Sequence, residues 1–103
     1  MELTVLDRIL LLNVMPAEGD ILTLKIVRKL REGLSFTEDE HKALNIVNED
    51  GQIKWTPTTE TKEIEIGPKA MILIAKVLKK LSKEEKLPAQ YIDVYEKFVE
   101  EED

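Results

Sequence analysis

The side chains best able to perform acid, base or metal chemistry lie around the single histidine. His41 comes directly after three carboxylates, Glu38, Asp39 and Glu40. His41 and Glu38 would offer a divalent ion two ligands about one helical turn apart, whereas zinc sites use three or four protein ligands. The chain has no cysteine, which removes thiolate ligands and thiol nucleophiles. We therefore predict that His41 is a solvated surface residue and that the protein has no catalytic residue, no metal site and no cofactor.

Other patterns that carry chemistry in enzymes are weak in this chain. Glu63 and Glu65 alternate along a predicted strand, where carboxylates on the polar side serve solubility rather than acid and base catalysis. The four glycines are isolated from one another, so the sequence has no glycine-rich loop to hold a phosphate. The sequence thus predicts a protein that is not an enzyme.

The densest group of basic residues falls on one face of the second predicted helix. Its members are Lys25, Arg28, Lys29 and Arg31. The simpler interpretation is a solvated helix face with cations near the helix C-terminus. The alternative is a nucleic-acid-binding regulator, because helices near 5–14, 21–32 and 38–43 followed by a hairpin have the element order of a winged helix. The third helix begins with carboxylates and the net charge is −6, so the sequence argues against nucleic acid as the partner.

Length and composition predict one globular domain over residues 1–103, with a frayed acidic tail at 100–103. Hydrophobic residues make up 43% of the chain and charged residues 35%, which is enough apolar surface to offset the entropy of ordering. The start of the chain lacks the basic region of a secretory signal, and no apolar run approaches the roughly 18 residues that span a membrane. We expect a cytoplasmic protein that does not contact the membrane.

The spacing of apolar residues predicts an α+β fold with three N-terminal helices, a three-stranded antiparallel meander and two C-terminal helices. Asp50-Gly51 fits the centre of a type I′ turn and would pair Val47 with Lys54. Ile64 and Ile66 predict the third strand, which joins this hairpin, and Pro57 ends the strand before it. Helices starting near Pro68 and Pro88 would then cover the sheet. We favour a core position for Trp55, with an interface anchor as the alternative.

The first predicted helix is apolar on nearly all sides. Such a helix lies at the centre of a protein or is covered by a partner. Without a catalytic constellation, the sequence favours a protein-protein interaction or accessory module that binds a protein partner or itself. The candidate interface residues are Leu10, Leu11 and Met15.

Three segments of the chain also carry a resemblance to known proteins. They are the run from Asp7 to Phe36, which begins Asp-Arg-Ile-Leu-Leu-Leu-Asn-Val-Met-Pro, the segment Lys-Glu-Ile-Glu-Ile-Gly at 62–67, and Tyr-Glu-Lys-Phe at 95–98. In these segments the chain resembles small uncharacterised proteins encoded by bacteriophages and prophages. The resemblance implies a phage setting, with the host cytoplasm as location, and it implies no activity and no site residues.

Overall fold

The computed structural model describes residues 1–56, 58 and 60–99, and it has an α+β fold with five α-helices and two small antiparallel sheets. The elements are β1 (Glu2–Thr4), α1 (Val5–Val14), α2 (Ile21–Leu34), α3 (Glu38–Leu44), β2 (Val47–Glu49), β3 (Gln52–Lys54), β4 (Thr61–Glu63), α4 (Pro68–Lys83) and α5 (Ile92–Phe98), with a 3₁₀ turn at Ala89–Tyr91 before α5. The α+β class is confirmed. The predicted tail at 100–103 and the strand end at Pro57 lie outside the described residues.

Local capping interactions fix where the N-terminal helices begin. The Thr4 hydroxyl accepts a hydrogen bond from the Asp7 N–H, and the Asp7 carboxylate accepts one from the Thr4 N–H, both at 3.0 Å. Thr37 and Glu40 form the same reciprocal box at the start of α3. Such boxes satisfy backbone donors that a helix leaves without partners. The predicted starts of these helices are therefore correct.

The two sheets have different partners from those predicted. β2 and β3 form the predicted hairpin, with Val47 opposite Lys54 and with φ of 50° at Asp50 and 79° at Gly51. The three-stranded meander is wrong, because β4 pairs with β1 in a separate two-stranded sheet. Three residues are too few to show an alternating pattern, so no strand could be predicted at β1.

The prediction that the last two helices cover the hairpin is also wrong. Val47 and Ile53 are exposed, Trp55 is half-buried, and the hairpin packs mainly between its own two strands. The helices instead bury their apolar faces on one another: α4 contacts α2 and α5, and α5 also contacts α1. Trp55 consequently lies at the margin of the fold and outside its main core.

The main core surrounds α1. Leu10, Leu11 and Met15 are at most 5% exposed, and Leu11 is fully buried. The Tyr91 hydroxyl donates a hydrogen bond to the Leu10 carbonyl at 3.4 Å, which ties the last helical segment to α1. The other buried apolar residues of this core are Leu3, Val27, Leu30, Leu34, Ile64, Ala70, Ile74, Leu78, Val94, Phe98 and Val99. The apolar first helix is therefore covered by the chain itself.

Candidate docking surface on the second and fourth helices

The four basic residues predicted on the second helix all lie on its outer face. Lys25, Arg28, Lys29 and Arg31 are exposed, while Val27, Leu30 and Leu34 turn the opposite side of α2 into the core. Spacings of three and four residues produce this division, because they bring side chains back to the same side of a helix. The structure thus presents the four cations together to solvent.

A second row of cations lies on α4. The apolar residues Ala70, Ile74 and Leu78 of this helix recur every four residues and are buried. The five exposed lysines of this helix are Lys69, Lys76, Lys79, Lys80 and Lys83. The sequence shows these lysines, but it does not show that α4 packs against α2.

Two pairs of neighbouring residues indicate that helices α2 and α4 run in opposite directions. At the N-terminus of α2, the Asp20 carboxylate accepts a hydrogen bond from the Thr23 N–H at 2.7 Å, which lowers the pKa of Asp20, and the charge of Lys76 on α4 adds to this effect. At the opposite end of α2, Gly33 lines the same groove as Pro68, the first residue of α4. Because α2 packs against α4, we treat the two rows of cations together and call them the basic layer.

Positive charge is concentrated in the basic layer, although the protein as a whole is acidic. α2 and α4 together hold nine of the fifteen cations and a single carboxylate, Glu32, which gives them a net charge of +8. The remainder of the chain holds six cations and twenty carboxylates, a net charge of −14. Within the described residues, none of the nine cations forms a salt bridge. Their charge is thus available to a partner.

Exposed apolar side chains lie among these cations. Ile21 and Leu22 at the start of α2 are 70% and 56% exposed, and Ile72 on α4 is 69% exposed. Ile72 lies between Lys69 and Lys76 on the outer face of its helix, by the spacing of three and four residues. Apolar groups within a charged rim are a common composition for a protein-binding surface.

One end of the basic layer opens into a groove of about 820 Å³. The C-terminal half of α2 forms one wall, and the start of α4 with residues 62–65 forms the rest. Its apolar lining residues are Ile26, Leu30, Ile64 and Ala70. Lys29, Lys62 and Lys69 lie at the groove together with Glu32, Glu63 and Glu65, so the groove itself is close to neutral.

The predicted interface residues Leu10, Leu11 and Met15 are not on a surface. They form part of the core described above, so a partner would reach them only if α1 left its place in the fold. The sequence pattern could not separate an apolar helix covered by its own chain from one covered by a partner. We therefore place no docking surface on these residues.

The groups considered for catalysis are dispersed. His41 is exposed and meets the edge of the Phe36 ring at a centroid distance of 6.1 Å. No group of three or more metal-ligating side chains is close enough to hold an ion among the residues that the structure describes. Glu63 at the end of β4 and Glu65, which lies beyond the end of that strand, are both exposed.

Among the described residues, the most deeply buried charge is the guanidinium of Arg8 on α1, a residue for which we predicted no role. Arg8 is 2% exposed and lies over the Phe36 ring, 3.9 Å from its centroid. Its Nε donates to the Leu34 carbonyl at 3.1 Å, and Nη2 donates to the Ser35 carbonyl at 2.8 Å. An arginine within an apolar helix is the sequence signal for such a buried partner network. Because its donors hold the end of α2 in place, we assign Arg8 a structural role.

Comparisons with protein-family models, with curated proteins and with solved structures found no significant match to this chain. The resemblance to phage and prophage proteins therefore stays a prediction. In the part of the chain that the structure covers, no helix combines the length and the apolar character needed to cross a bilayer.

Proposed function

We propose that this protein is a non-enzymatic interaction module whose basic layer binds an acidic partner protein. The observation that carries the proposal is the charge separation, with +8 on two neighbouring helices and −14 on the rest of the chain. Complementary charge accelerates encounter and selects among partners. The exposed Ile21, Leu22 and Ile72 would contribute the apolar contacts that make such an encounter stable.

A nucleic-acid partner is the second candidate, because the same nine cations could neutralise phosphates. Three features favour a protein. First, α2 and α4 contain no aromatic residue on which a base could stack. Second, seven of the nine cations are lysines, which act as point charges, whereas bidentate base recognition uses arginine most often. Third, phosphate groups offer little apolar surface against which the exposed isoleucine and leucine side chains could be buried.

The two candidates can be separated by NMR titration of the labelled protein with three probes at low salt. The probes are an acidic amphipathic peptide with leucines on one helical face, polyglutamate, and a short DNA duplex. We expect the amphipathic peptide to bind most tightly and to shift amides of α2 and α4. Tighter binding of the duplex than of both acidic probes would overturn the protein proposal and support the nucleic-acid candidate.

Substitution of the apolar residues provides a second, independent test. We expect a variant with both Leu22→Ser and Ile72→Ser to bind the amphipathic peptide less tightly while binding polyglutamate as before. Both residues are exposed, so the fold should remain intact. Equal binding of the amphipathic peptide by the variant and the parent would show that the apolar contacts are not used.

A further inference from the structure

At the outer edge of β4, the alternation of hydrogen bonds in the β1–β4 ladder identifies backbone groups that point away from β1. The Ile64 N–H donates to the Met1 carbonyl at 2.8 Å, and the Met1 amino group donates to the Ile64 carbonyl at 3.0 Å. In an antiparallel pair such hydrogen-bonded positions alternate with positions whose N–H and C=O point outward. Glu63 pairs with Glu2 at the next position, so the backbone N–H and C=O of Glu63 point away from β1.

The same alternation holds at the other end of the ladder. Thr4 lies opposite Thr61, two positions from Glu63, and its N–H is turned away from β4 to the Asp7 carboxylate. Glu65 lies two residues after Glu63 and beyond the end of β4, so an extended continuation of the strand would direct its N–H and C=O outward as well. Among the described residues, no hydrogen bond to the outward groups of Glu63 or Glu65 is present. Within the part of the chain that the structure describes, β4 therefore has a free edge.

This free edge borders the groove beside α2. Residues 62–65 line the groove, whereas no residue of β1 does, so the groove lies on the side of β4 away from β1. Ile64 points to the core side of the sheet and is 3% exposed, while Glu63 and Glu65 point to the outer side. An added strand would accordingly meet apolar groups on one side and carboxylates on the other.

These carboxylates determine which strand fits. A second copy of β4 would place its own Glu63 or Glu65 opposite the same carboxylates, and like charges on directly opposite residues destabilise a strand pair. The Glu63 carboxylate pairs with the Met1 amino group at 2.8 Å and remains 72% exposed, and Glu65 is exposed, so a strand with lysine or arginine at those two positions would form opposite-charge pairs with both. The residue between them would lie opposite Ile64, where an apolar side chain can reach Leu30 and Ala70 of the groove.

We propose that the free edge of β4 is a second binding site, which accepts an extended segment of a partner protein by strand addition. The segment carries cations opposite Glu63 and Glu65 and apolar residues at the alternate positions. Strand addition is a known mode of peptide recognition, in which backbone hydrogen bonds give affinity and alternate side chains give specificity. The backbone edge and the two carboxylates of this site are not part of the basic layer, although Lys29 and Lys69 of that layer line the same groove. The two proposals are tested with peptides of opposite charge, so one can fail without the other.

Amide hydrogen exchange of the free protein tests whether the edge is open. We expect the Glu63 and Glu65 amides to exchange rapidly and the Lys62 and Ile64 amides, which face β1, to exchange slowly. Equal protection of all four amides would contradict the free edge.

The binding test uses the synthetic peptide acetyl-Thr-Val-Lys-Val-Lys-Val-Thr-amide, followed by NMR up to millimolar concentration. We expect the peptide to protect the Glu63 and Glu65 amides. N-methylation of either lysine amide should weaken binding about tenfold or more, because it removes a hydrogen bond to β4, whereas N-methylation of the central valine amide should have little effect. Absence of binding, or equal effects of the three N-methyl groups, would overturn the proposal.

A charge exchange provides the matched control. The variant with Glu63→Lys and Glu65→Lys should lose affinity for the lysine peptide and gain affinity for the same peptide with glutamate in place of lysine. Both positions are exposed, and Glu63→Lys also removes the ion pair with the Met1 amino group, so the spectrum of the core amides will verify that the variant keeps its fold. Unchanged preference between the two peptides would show that these carboxylates do not select the strand.

Discussion

Arg8 on α1 and Glu40 on α3 form a two-pronged salt bridge at the junction of the three N-terminal helices. Arg8 Nη1 lies 2.6 Å from Glu40 Oε2, and Nη2 lies 3.3 Å from Oε1. The same carboxylate accepts the Thr37 N–H of its own capping box and a hydrogen bond from Lys62. One carboxylate thus couples the start of α3 to α1 and to β4, so the loss of either partner of the salt bridge should affect all three elements.

We predict that Arg8→Met destabilises the protein by about 3 kcal/mol, since removal of one partner of a buried ion pair leaves the other groups without compensation. Here the carbonyls of Leu34 and Ser35 would lose their donors. Urea unfolding will measure the change. In a double-mutant cycle with Glu40→Gln, the double variant should lose less stability than the sum of the losses in the two single variants, because the first substitution already breaks the pair. Strict additivity would mean that the pair does not act as a unit.

Stability should depend on pH through Glu40. The hydrogen bonds from Arg8, the largest cause, lower the pKa of Glu40 from 4.5 to about 2. A carboxyl whose pKa is lower in the folded state contributes stability above its unfolded pKa and loses it as pH falls toward its folded pKa. The contribution, at most about 3 kcal/mol, should therefore be complete above pH 4.5 and decline as pH approaches 2. Urea titrations between these pH values should show a smaller decline for Glu40→Gln.

Leu11 and Leu22 should respond very differently to truncation. Leu11 is fully buried beside the other core residues, so Leu11→Ala should cost about 2 to 5 kcal/mol by loss of buried area and by creation of a cavity. Leu22 is exposed, and Leu22→Ala should change stability by less than about 0.5 kcal/mol. Thermal unfolding followed by circular dichroism will compare the two variants. Similar melting temperatures would contradict the placement of α1 at the centre of the core.

The β2–β3 hairpin should loosen without unfolding the rest of the protein. Gly51 has φ of 79°, a conformation that L-residues with a side chain rarely adopt. We expect Gly51→Val to raise amide exchange rates in β2 and β3, while amides of α1 and α4 keep their protection, because the hairpin packs mainly on itself. A matching loss of protection in α1 would show that the hairpin supports the core after all.

Local interactions account for the parts of the fold that the sequence could predict. The capping residues Thr4 and Thr37 and the Asp50-Gly51 turn act within a few residues, so their effect is visible in the sequence. The pairing of β4 with β1 joins segments about 60 residues apart, and β1 is too short to carry a pattern. Nothing in the order of elements identifies that partner.

Only the parts of the candidate docking surface that lie within a single helix could be predicted from the sequence. The cations of α2 form a helical stripe in the sequence, and so do the lysines of α4. Their union depends on the packing of α2 against α4, which is a tertiary contact. The buried position of Leu10, Leu11 and Met15 depends equally on what covers α1, and periodicity alone does not distinguish a domain's own helices from a partner.

The most direct test of the basic layer compares two variants of equal net charge. One carries Lys25→Glu and Lys76→Glu on α2 and α4, and the other carries Lys42→Glu and Lys54→Glu on α3 and β3. Lys54 pairs with Glu49 at 3.2 Å, and both side chains are about 60% exposed, so the loss of that pair should cost little stability. The measurement is the dissociation constant for the acidic amphipathic peptide at low salt. We predict that the affinity for this peptide falls about tenfold or more in the α2 and α4 variant and much less in the control. The reason is that the peptide carboxylates contact the basic layer, while screening reduces the effect of more distant charges. Equal weakening of both variants would show that the peptide responds to net charge alone and would contradict a docking surface on α2 and α4.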